Sequence, residues 1–355
     1  MNNDRIQEIL DLMEEARLDY FLISDPQSIA YCTGYYNDPH ERMFVFMISK
    51  HGNHTLFMND LFYLDHDLDV NIVWHKDGQD AIQTIVDEMH FPGRIGIDKN
   101  WASHFLLDLM KKLPDAKYIN ASPCVDLVRM KKDLQEQVLM IESSKINDAV
   151  MEEIIPFIQE GVTEKQLAKK LDELFFNHHS TCYGAIVAFG KNAADPHHEP
   201  DNTVLKVGDC VLFDVGCIRK GYCSDMTRTF FYEGILEEEI KVYEIVKKAN
   251  EAAEAMIKPG VKLSDIDKCA RKVISDEGYG KYFTHRLGHF IGRDVHEYGD
   301  VSSVNEMEVE EGMIFSIEPG IYLEGNFGVR VEDLVMVTKD GCQVLNSFTK
   351  DIYII

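Results

Sequence analysis

The sequence predicts a two-domain protein of mixed structure, in the α/β (α+β) class. Residues 1–130 alternate helix-like and strand-like segments, and a charged helix-forming stretch separates them from a longer second part. That second part contains two acidic hairpins on either side of a histidine-rich segment. Since 45% of the 355 residues are hydrophobic, both parts can bury a core. We predict a small N-terminal α/β domain over residues 1–130 and a larger C-terminal domain over residues 131–355.

The first domain is predicted from its hydrophobic periodicity. In chain order we expect a helix face at 6–16, a strand at 20–23, paired strands at 43–48 and 55–58, a helix at 80–89, a strand at 94–97 and a helix at 105–113. His51-Gly52-Asn53 lies between the paired runs and is a hairpin signal. No glycine fingerprint for a nucleotide occurs in this domain.

The second domain is predicted to open with helices. Residues 134–159 are charged and helix-forming, with Val138, Ile141, Ala149 and Ile154 facing inward. Thr163 and Gln166 form a capping box that predicts the start of a second helix. Residues 265–277 predict a further helix, and strand-like runs lie between and after these helices.

Composition excludes several classes of function. The net charge of −25 argues against nucleic-acid and anionic-membrane partners. No apolar run is long enough for a transmembrane helix, and no secretory signal is visible at Met1. The eight cysteines include no CxxC pair, which is typical of reduced thiols in a cytoplasmic protein.

The first informative segment is a hairpin that carries two aspartates. Residues 211–229 contain two strand-like runs around a predicted turn at Arg219-Lys220, and Asp214 and Asp225 are equidistant from that turn. We therefore predict that their carboxylates face each other, with Cβ atoms about 5 Å apart. Two like charges at that separation need a cation between them, or one takes up a proton.

A second hairpin, over residues 315–333, carries a second carboxylate pair. Glu318 and Glu332 are equidistant from Gly325, the predicted turn. Alternation with the neighbouring valines places Arg330 on the same face as Glu332. One such hairpin is typical of a solvated acidic face, whereas two within strongly apolar strands favour a metal site.

Histidines cluster between the two hairpins. Residues 284–297 contain His285, His289 and His296, and imidazole joins carboxylates readily at divalent metals. Upstream, the Gly-, Asn- and Pro-rich loop 190–200 leads into the first hairpin, so His197 or His198 is a further candidate. The chain contains neither a G-x-S-x-G serine motif nor an H-E-x-x-H zinc helix.

Four motifs together resemble the metallopeptidases with the pita-bread fold. They are PHHEP at 196–200, FDVGCIRKGYCSDMTRTF at 213–230, HRLGHFIGRDVHE at 285–297 and FSIEPGIYLEGNFGVRVED at 315–333. This group includes Xaa-Pro dipeptidase (prolidase), aminopeptidase P, methionine aminopeptidase and the metal-free relative creatinase. The resemblance implies a creatinase-like N-terminal α/β domain and a catalytic pita-bread domain of curved antiparallel sheets flanked by helices. Methionine aminopeptidases generally lack the leading domain, and creatinase lacks the ligand set.

The resemblance also implies a set of site residues. Asp214 would chelate one metal ion, Asp225 and Glu332 would bridge two, and His289 and Glu318 would complete the second ion's ligands. The remaining implied roles belong to His197 ahead of His198, to His285 and His296 as hydrogen-bond partners of the substrate, to Arg330 near the substrate carboxylate, and to Tyr183 and Thr227 as supporting residues. Oxygen-rich ligands with one imidazole favour Mn²⁺, with Co²⁺ or Zn²⁺ as substitutes.

The implied activity is two-metal hydrolysis of the peptide bond before proline, with Glu318 shuttling a proton to the leaving nitrogen. We expect Xaa-Pro dipeptides as substrates and a homodimer. The alternatives are an aminopeptidase P that acts on longer peptides, and a non-catalytic binding module of the same fold. Phe290 and Arg293 depart from the family pattern, which leaves substrate preference open. The loop from Asn37 to Arg42 either reaches Arg293 across a dimer or is solvated.

Overall fold

The computed structural model describes residues 1–64, 66–90 and 92–355, which group into two units, residues 1–129 and 130–355. The first unit is built on a six-stranded mixed sheet with strand order β4-β3-β2-β1-β5-β6. Its strands are β1 (Tyr20–Ile23), β2 (Val45–Ser49), β3 (Thr55–Asn59), β4 (Asn71–His75), β5 (Arg94–Ile97) and β6 (Lys117–Asn120). Its helices are α1 (Asn3–Glu15), α2 (Pro26–Thr33), α3 (Ala81–Glu88), α4 (Ser103–Lys112) and α5 (Ser122–Met130), the last ending one residue into the second unit.

Side chains alternate between two cores on the faces of this sheet. Phe21 and Ile23 pack in the same core as the α1 residue Ile9. Tyr20 and Leu22 point into the other core, with residues of α3 and α4. The predicted hairpin around residues 51–53 is confirmed, since β2 and β3 pair antiparallel. The short elements α2, α5, β4 and β6 were not predicted.

The second unit combines antiparallel sheets with helices. Its helices are α6 (Leu134–Ile154), α7 (Glu164–Asn177), α8 (Glu237–Glu254) and α9 (Leu263–Asp276). Its strands are β7 (Thr181–Phe189), β8 (Cys210–Arg219), β9 (Tyr222–Cys223), β10 (Met226–Phe231), β11 (Gly288–His289), β12 (Asp300–Val301), β13 (Ile314–Ile317), β14 (Gly320–Leu323), β15 (Phe327–Arg330), β16 (Asp333–Val337) and β17 (Cys342–Val344). The predicted α/β (α+β) class is confirmed.

Helix α6 packs on the first hairpin through polar side chains. The Ser143 hydroxyl donates to the Tyr222 carbonyl oxygen (3.1 Å), and the Asn147 amide donates to the Val215 carbonyl oxygen (2.8 Å). The prediction that Val138 faces inward is wrong, because 54% of its surface is exposed. The buried face of α6 combines these polar side chains with Met140, Val150, Met151 and Ile154, so the inward prediction for Ile154 is confirmed. The polar part of that face is satisfied by strand carbonyls, which a search for apolar periodicity does not detect.

Helix α7 begins where the capping box predicted. The Thr163 backbone N–H donates to Gln166 Oε1 (2.8 Å), and the Gln166 N–H donates to Thr163 Oγ1 (3.3 Å). This cap fixes Glu164 as the first residue of the helix. Across the described parts of the chain, no helix combines the length and apolar character needed to span a bilayer.

Candidate metal centre

A cavity of about 510 Å³ in the second unit brings the predicted site residues together. Its wall combines the two acidic hairpins, the histidine segment and the 190–200 loop. The predicted residues that line it are His197, His198, Asp214, Asp225, His285, His289, His296, Glu318, Arg330 and Glu332. Tyr183 also lines it.

The register of the first hairpin differs from the prediction by one position at its centre. Asp214 pairs with Thr227, so the prediction that it faces Asp225 directly is wrong. The turn lies at Lys220-Gly221, where both residues have positive φ (50° and 81°), as a two-residue type I′ turn requires. When the centre of the hairpin moves by one residue, each residue of one strand pairs with a residue two positions further along the other strand. Residues two apart lie on the same face of a strand, so both aspartates stay on the cavity side.

Asp225 lies just before β10, where the hairpin ladder is interrupted. Its Oδ1 accepts from the Met226 backbone N–H (3.1 Å), and the Tyr183 hydroxyl donates to the neighbouring Ser224 carbonyl oxygen (2.8 Å). Burial, reinforced by the charge of Asp214, raises the pKa of Asp225 well above its usual value. This carboxylate is therefore held where its negative charge needs a nearby cation.

The register of the second hairpin is confirmed. Gly320 pairs with Arg330, Ile317 pairs with Asp333, and these two pairings belong to one continuous register. Glu318 and Glu332 lie opposite each other in the gap between the paired segments. Thus the ladders on both sides of the gap fix the position of this carboxylate pair.

Hydroxyl groups orient both glutamates. Thr227 Oγ1 donates to Glu332 Oε2 (2.7 Å), and Ser316 Oγ donates to Glu318 Oε1 (3.1 Å). Burial, together with the neighbouring carboxylates, raises the pKa of Glu332 well above its usual value. Burial also raises the pKa of Glu318, to about 7.

His289 offers its Nε2 atom to the carboxylates. This nitrogen lies 3.6 Å from Asp225 Oδ2 and 3.5 Å from Glu318 Oε1. Its Nδ1 lies 3.2 Å from the Phe290 carbonyl oxygen, which assigns the hydrogen to Nδ1 and leaves a lone pair on Nε2. Burial lowers the pKa of His289 to about 3, so the ring is neutral at pH 7. A Cβ at residue 288 would lie 1.9 Å from the Ser316 carbonyl oxygen, so only glycine permits this approach.

The other histidines occupy different positions around the cavity. The His296 ring meets the His289 ring edge to face, with centroids 4.3 Å apart. His285 Nδ1 lies 2.7 Å from the Arg286 carbonyl oxygen, which requires a hydrogen on Nδ1. His285 Nε2 therefore accepts from the Tyr322 hydroxyl (2.8 Å). Burial lowers the pKa of His285 to about 4, so this ring is neutral as well.

The two histidines of the loop differ in their partners. His198 Nε2 lies 2.7 Å from Glu164 Oε2, whereas the His197 side chain contacts the open cavity. Glu164 also accepts from the Phe189 backbone N–H (2.8 Å) and from the Asn192 side-chain amide (2.9 Å). Our sequence reasoning missed Glu164, although the capping box had located the buried first residue of α7.

Tyr322 was also missed. Its hydroxyl accepts from Arg330 Nη1 (2.9 Å), and it shares a strand face with Glu318 by the period of two. The alternation of side chains along this strand, which places Tyr322 on the face of Glu318, is the signal that could have identified Tyr322. Arg330 Nη2 in turn donates to Asp214 Oδ2 (2.6 Å).

The donor set fits divalent cations. Ligand atoms of Asp225, His289 and Glu332 all lie within 4.8 Å of one another, and the three side chains are buried. The raised pKa values of Asp225 and Glu332 reflect burial of several carboxylates together, which cations would relieve. Carboxylate oxygens with one imidazole suit hard or borderline divalent metals.

Comparison with known proteins gives the same picture. Residues 138–339 match the metallopeptidase family M24, and residues 5–131 match the Creatinase/Prolidase N-terminal domain. An uncharacterized peptidase of Staphylococcus aureus is 35% identical, over 98% of this chain and 99% of its own.

Two solved structures are similar over their whole length. The dipeptidase from Pyrococcus horikoshii has a TM-score of 0.92 at 35% identity, covering 99% of this chain and 100% of its own. The prolidase from Thermococcus sibiricus has a TM-score of 0.94 at 31% identity, covering 100% and 99%. The predicted creatinase-like and pita-bread architecture is confirmed by these matches.

Proposed function

Since this chain belongs to metallopeptidase family M24, we propose that it hydrolyses Xaa-Pro dipeptides with two divalent cations. The observation that carries this proposal is the convergence of three buried side chains, those of Asp225, His289 and Glu332, whose ligand atoms lie within 4.8 Å of one another. The similarity to a solved dipeptidase supports a substrate of two residues, and the similarity to a solved prolidase supports proline as its second residue.

The proposed ligands are the four carboxylates and one imidazole that the motifs indicated. Asp214 would hold one cation, Asp225 and Glu332 would hold both, and His289 and Glu318 would hold the other. We propose Mn²⁺ as the preferred ion, with Co²⁺ or Zn²⁺ as substitutes, because four of the five ligands are carboxylates.

When bound, the two cations would activate water and stabilise negative charge on the scissile carbonyl oxygen. Glu318 would take the proton from water and deliver it to the leaving nitrogen, because its carboxylate lines the cavity beside the proposed ligands. His296 would donate a hydrogen bond to the substrate carbonyl, and His197 would contact the substrate from the loop. Each of these steps uses a side chain that lines the cavity.

Arg330 and His285 are proposed to position their neighbours. The Arg330 guanidinium holds Asp214 at 2.6 Å and the Tyr322 hydroxyl at 2.9 Å. His285 accepts from the same hydroxyl through Nε2, so this nitrogen is not available as a donor to substrate. We propose that His285 acts through Tyr322. Thr227 would orient Glu332 in the same way.

The decisive experiment combines metal content with peptide hydrolysis. Purified protein loaded with Mn²⁺ should release proline from Leu-Pro and leave Leu-Pro-Gly largely intact. Asp225→Asn and Glu332→Gln should lose both bound metal and turnover. Glu324→Gln, at the exposed tip of the second hairpin, is the matched control and should retain both.

Each contrary result has a definite meaning. Full turnover in Asp225→Asn or Glu332→Gln would overturn the ligand assignment. Faster cleavage of Leu-Pro-Gly than of Leu-Pro would replace the dipeptidase with an aminopeptidase P. Metal binding without hydrolysis of either peptide would favour the non-catalytic binding module.

We also propose a homodimer in the cytoplasm. Tyr63 is 81% exposed and Leu61 is 66% exposed, which is the kind of apolar surface that a partner covers. All eight cysteines are free thiols, as in a reducing compartment. Light scattering of the purified protein tests the dimer, and fractionation of the source cells tests the compartment.

The pairing of the 37–42 loop with Arg293 stays a prediction. Within its own unit, Arg42 forms an ion pair with Asp77 (2.9 Å). The Arg293 guanidinium lies 5.5 Å from the Tyr222 ring centroid. Altered kinetics in Arg293→Ser would support a tuning role, whereas wild-type kinetics would favour a solvated loop.

A further inference from the structure

Arg286 lies at the wall of the metal cavity with its side chain exposed. Its backbone is fixed beside the site, because its carbonyl oxygen faces His285 Nδ1 at 2.7 Å. Within residues 1–64, 66–90 and 92–355, its guanidinium forms neither an ion pair nor a hydrogen bond. Thus Arg286 offers a set of N–H donors that this fold does not use.

Arg330, the other arginine in the cavity wall, is already engaged. Its Nε donates to Thr227 Oγ1 (3.1 Å), and its Nη2 donates to Asp214 (2.6 Å). Its Nη1 donates to the Tyr322 hydroxyl (2.9 Å) and lies 3.4 Å from the Pro196 carbonyl oxygen. The side chain is also buried, with 3% of its surface exposed. A substrate group would have to displace these bonds to reach it.

Arg286 lies beside the proposed metal ligands. It is three residues before His289, and it lines the same cavity as His289 and His296. The guanidinium is therefore part of the wall that faces the substrate while its head remains accessible to solvent.

We propose that Arg286 binds the free carboxylate at the C-terminus of the dipeptide substrate. This inference rests on the proposed function and names the residue that sets its substrate length. In the metal-loaded enzyme the two cations neutralise the four ligand carboxylates, so the free carboxylate of a dipeptide still needs a cationic partner in the cavity wall. The guanidinium supplies a planar pair of donors that matches a carboxylate.

Binding of the terminal charge would select dipeptides over longer peptides. In a peptide that continues past proline, the carboxylate is replaced by a neutral amide, which makes a weaker hydrogen bond with the guanidinium. A hydrogen bond to a charged group contributes more than one between neutral groups, so loss of the charge should weaken binding about tenfold.

The test compares the acid and the amide of one substrate. Mn²⁺-loaded wild type, Arg286→Gln, Arg286→Lys and Lys281→Gln are assayed with Leu-Pro and Leu-Pro-amide, and proline and prolinamide binding is measured by calorimetry. Lys281 is the matched control, since it is an exposed cation of the same segment that does not line the cavity.

In Arg286→Gln we expect KM for Leu-Pro and Kd for proline to rise about tenfold, with kcat within about twofold of wild type. The values for Leu-Pro-amide and prolinamide should change by about twofold or less, because only a weak neutral hydrogen bond is lost. Arg286→Lys should recover part of the loss, and Lys281→Gln should behave as wild type.

Two results overturn the inference while leaving the peptidase in place. In the first, Arg286→Gln still prefers Leu-Pro over Leu-Pro-amide as strongly as wild type does. In the second, wild type shows the same KM for Leu-Pro and for Leu-Pro-amide. If the wild type cleaves neither substrate in Mn²⁺, the proposed function fails and this inference fails with it.

Discussion

A buried ion pair supports the loop that presents His296. Lys132 Nζ lies 3.0 Å from Glu297 Oε2, and the two side chains are 1% and 5% exposed. Glu297 Oε1 accepts from the Arg293 backbone N–H (3.0 Å), and the Glu297 N–H donates to the Phe290 carbonyl oxygen (2.9 Å). The residue next to His296 is thereby fixed through both its side chain and its backbone.

Lys132→Met removes the cation and keeps most of the apolar stem. The negative charge of Glu297 then stays buried without its ammonium partner, and breaking such a pair costs about 3–5 kcal/mol of unfolding free energy. This is a large share of the 5–15 kcal/mol that is typical of a domain. We also expect kcat/KM to fall about tenfold or more, because the loop that carries His296 loses an anchor.

The assay is urea unfolding of wild type, Lys132→Met, Glu297→Gln and the double variant, followed by circular dichroism. Fluorescence is unsuitable, because both tryptophans, Trp74 and Trp101, lie in the first unit. The double variant should regain most of the lost stability, since a neutral glutamine still accepts from the backbone N–H of Arg293. A change below about 0.5 kcal/mol in Lys132→Met, or no recovery in the double variant, would refute this reasoning.

Two further predictions concern pH and the loop. Burial raises the pKa of Glu318 to about 7 from an ordinary 4.5, so the metal-free folded state holds a proton that the unfolded state releases. Below about pH 6.5 the lowered pKa values of His285 and His289 act in the opposite direction, because the unfolded state binds protons that these buried rings exclude. The Tm of metal-free protein should therefore fall between about pH 6.5 and pH 8, where the carboxylates dominate, and saturating Mn²⁺ should suppress the fall; a rise over that interval would contradict the sign. Glu164→Gln should lower the free energy of unfolding by about 2 kcal/mol and kcat/KM about tenfold, because Glu164 binds His198 and anchors the loop that presents His197. Metal affinity by calorimetry should be unchanged, and a weakened affinity would show that Glu164 supports the ligands instead.

The two hairpins show when alternation in the sequence is enough to predict strand register and when it is not. In the second hairpin the centre at Gly325 was predicted correctly, because the alternation of Val329 and Val331 with charged residues leaves one consistent register. In the first hairpin two adjacent centres satisfy the same alternation. The choice between them depends on the positive φ values of Lys220 and Gly221, which alternation does not encode.

Long-range polar contacts account for most of what sequence reasoning missed. The link between Arg330 and Asp214 joins residues 116 positions apart, and that between Lys132 and Glu297 joins residues 165 apart. Neither partner has a local pattern that identifies the other. By contrast, the metal-ligand candidates were found because short motifs carry them, with residues of fixed spacing on one strand face.

In the second hairpin the tip can vary in length, whereas the two paired arms cannot. Glu318 and Glu332 are held by pairings on both sides of one gap, whereas residues 324–326 at the tip only close the loop. A single inserted residue along either arm would slip the strands by one step and turn a carboxylate to the opposite face. An insertion at the tip leaves the arms in step. The exposed tip is therefore the place where this hairpin tolerates changes of length or an inserted peptide without displacing Glu318 or Glu332.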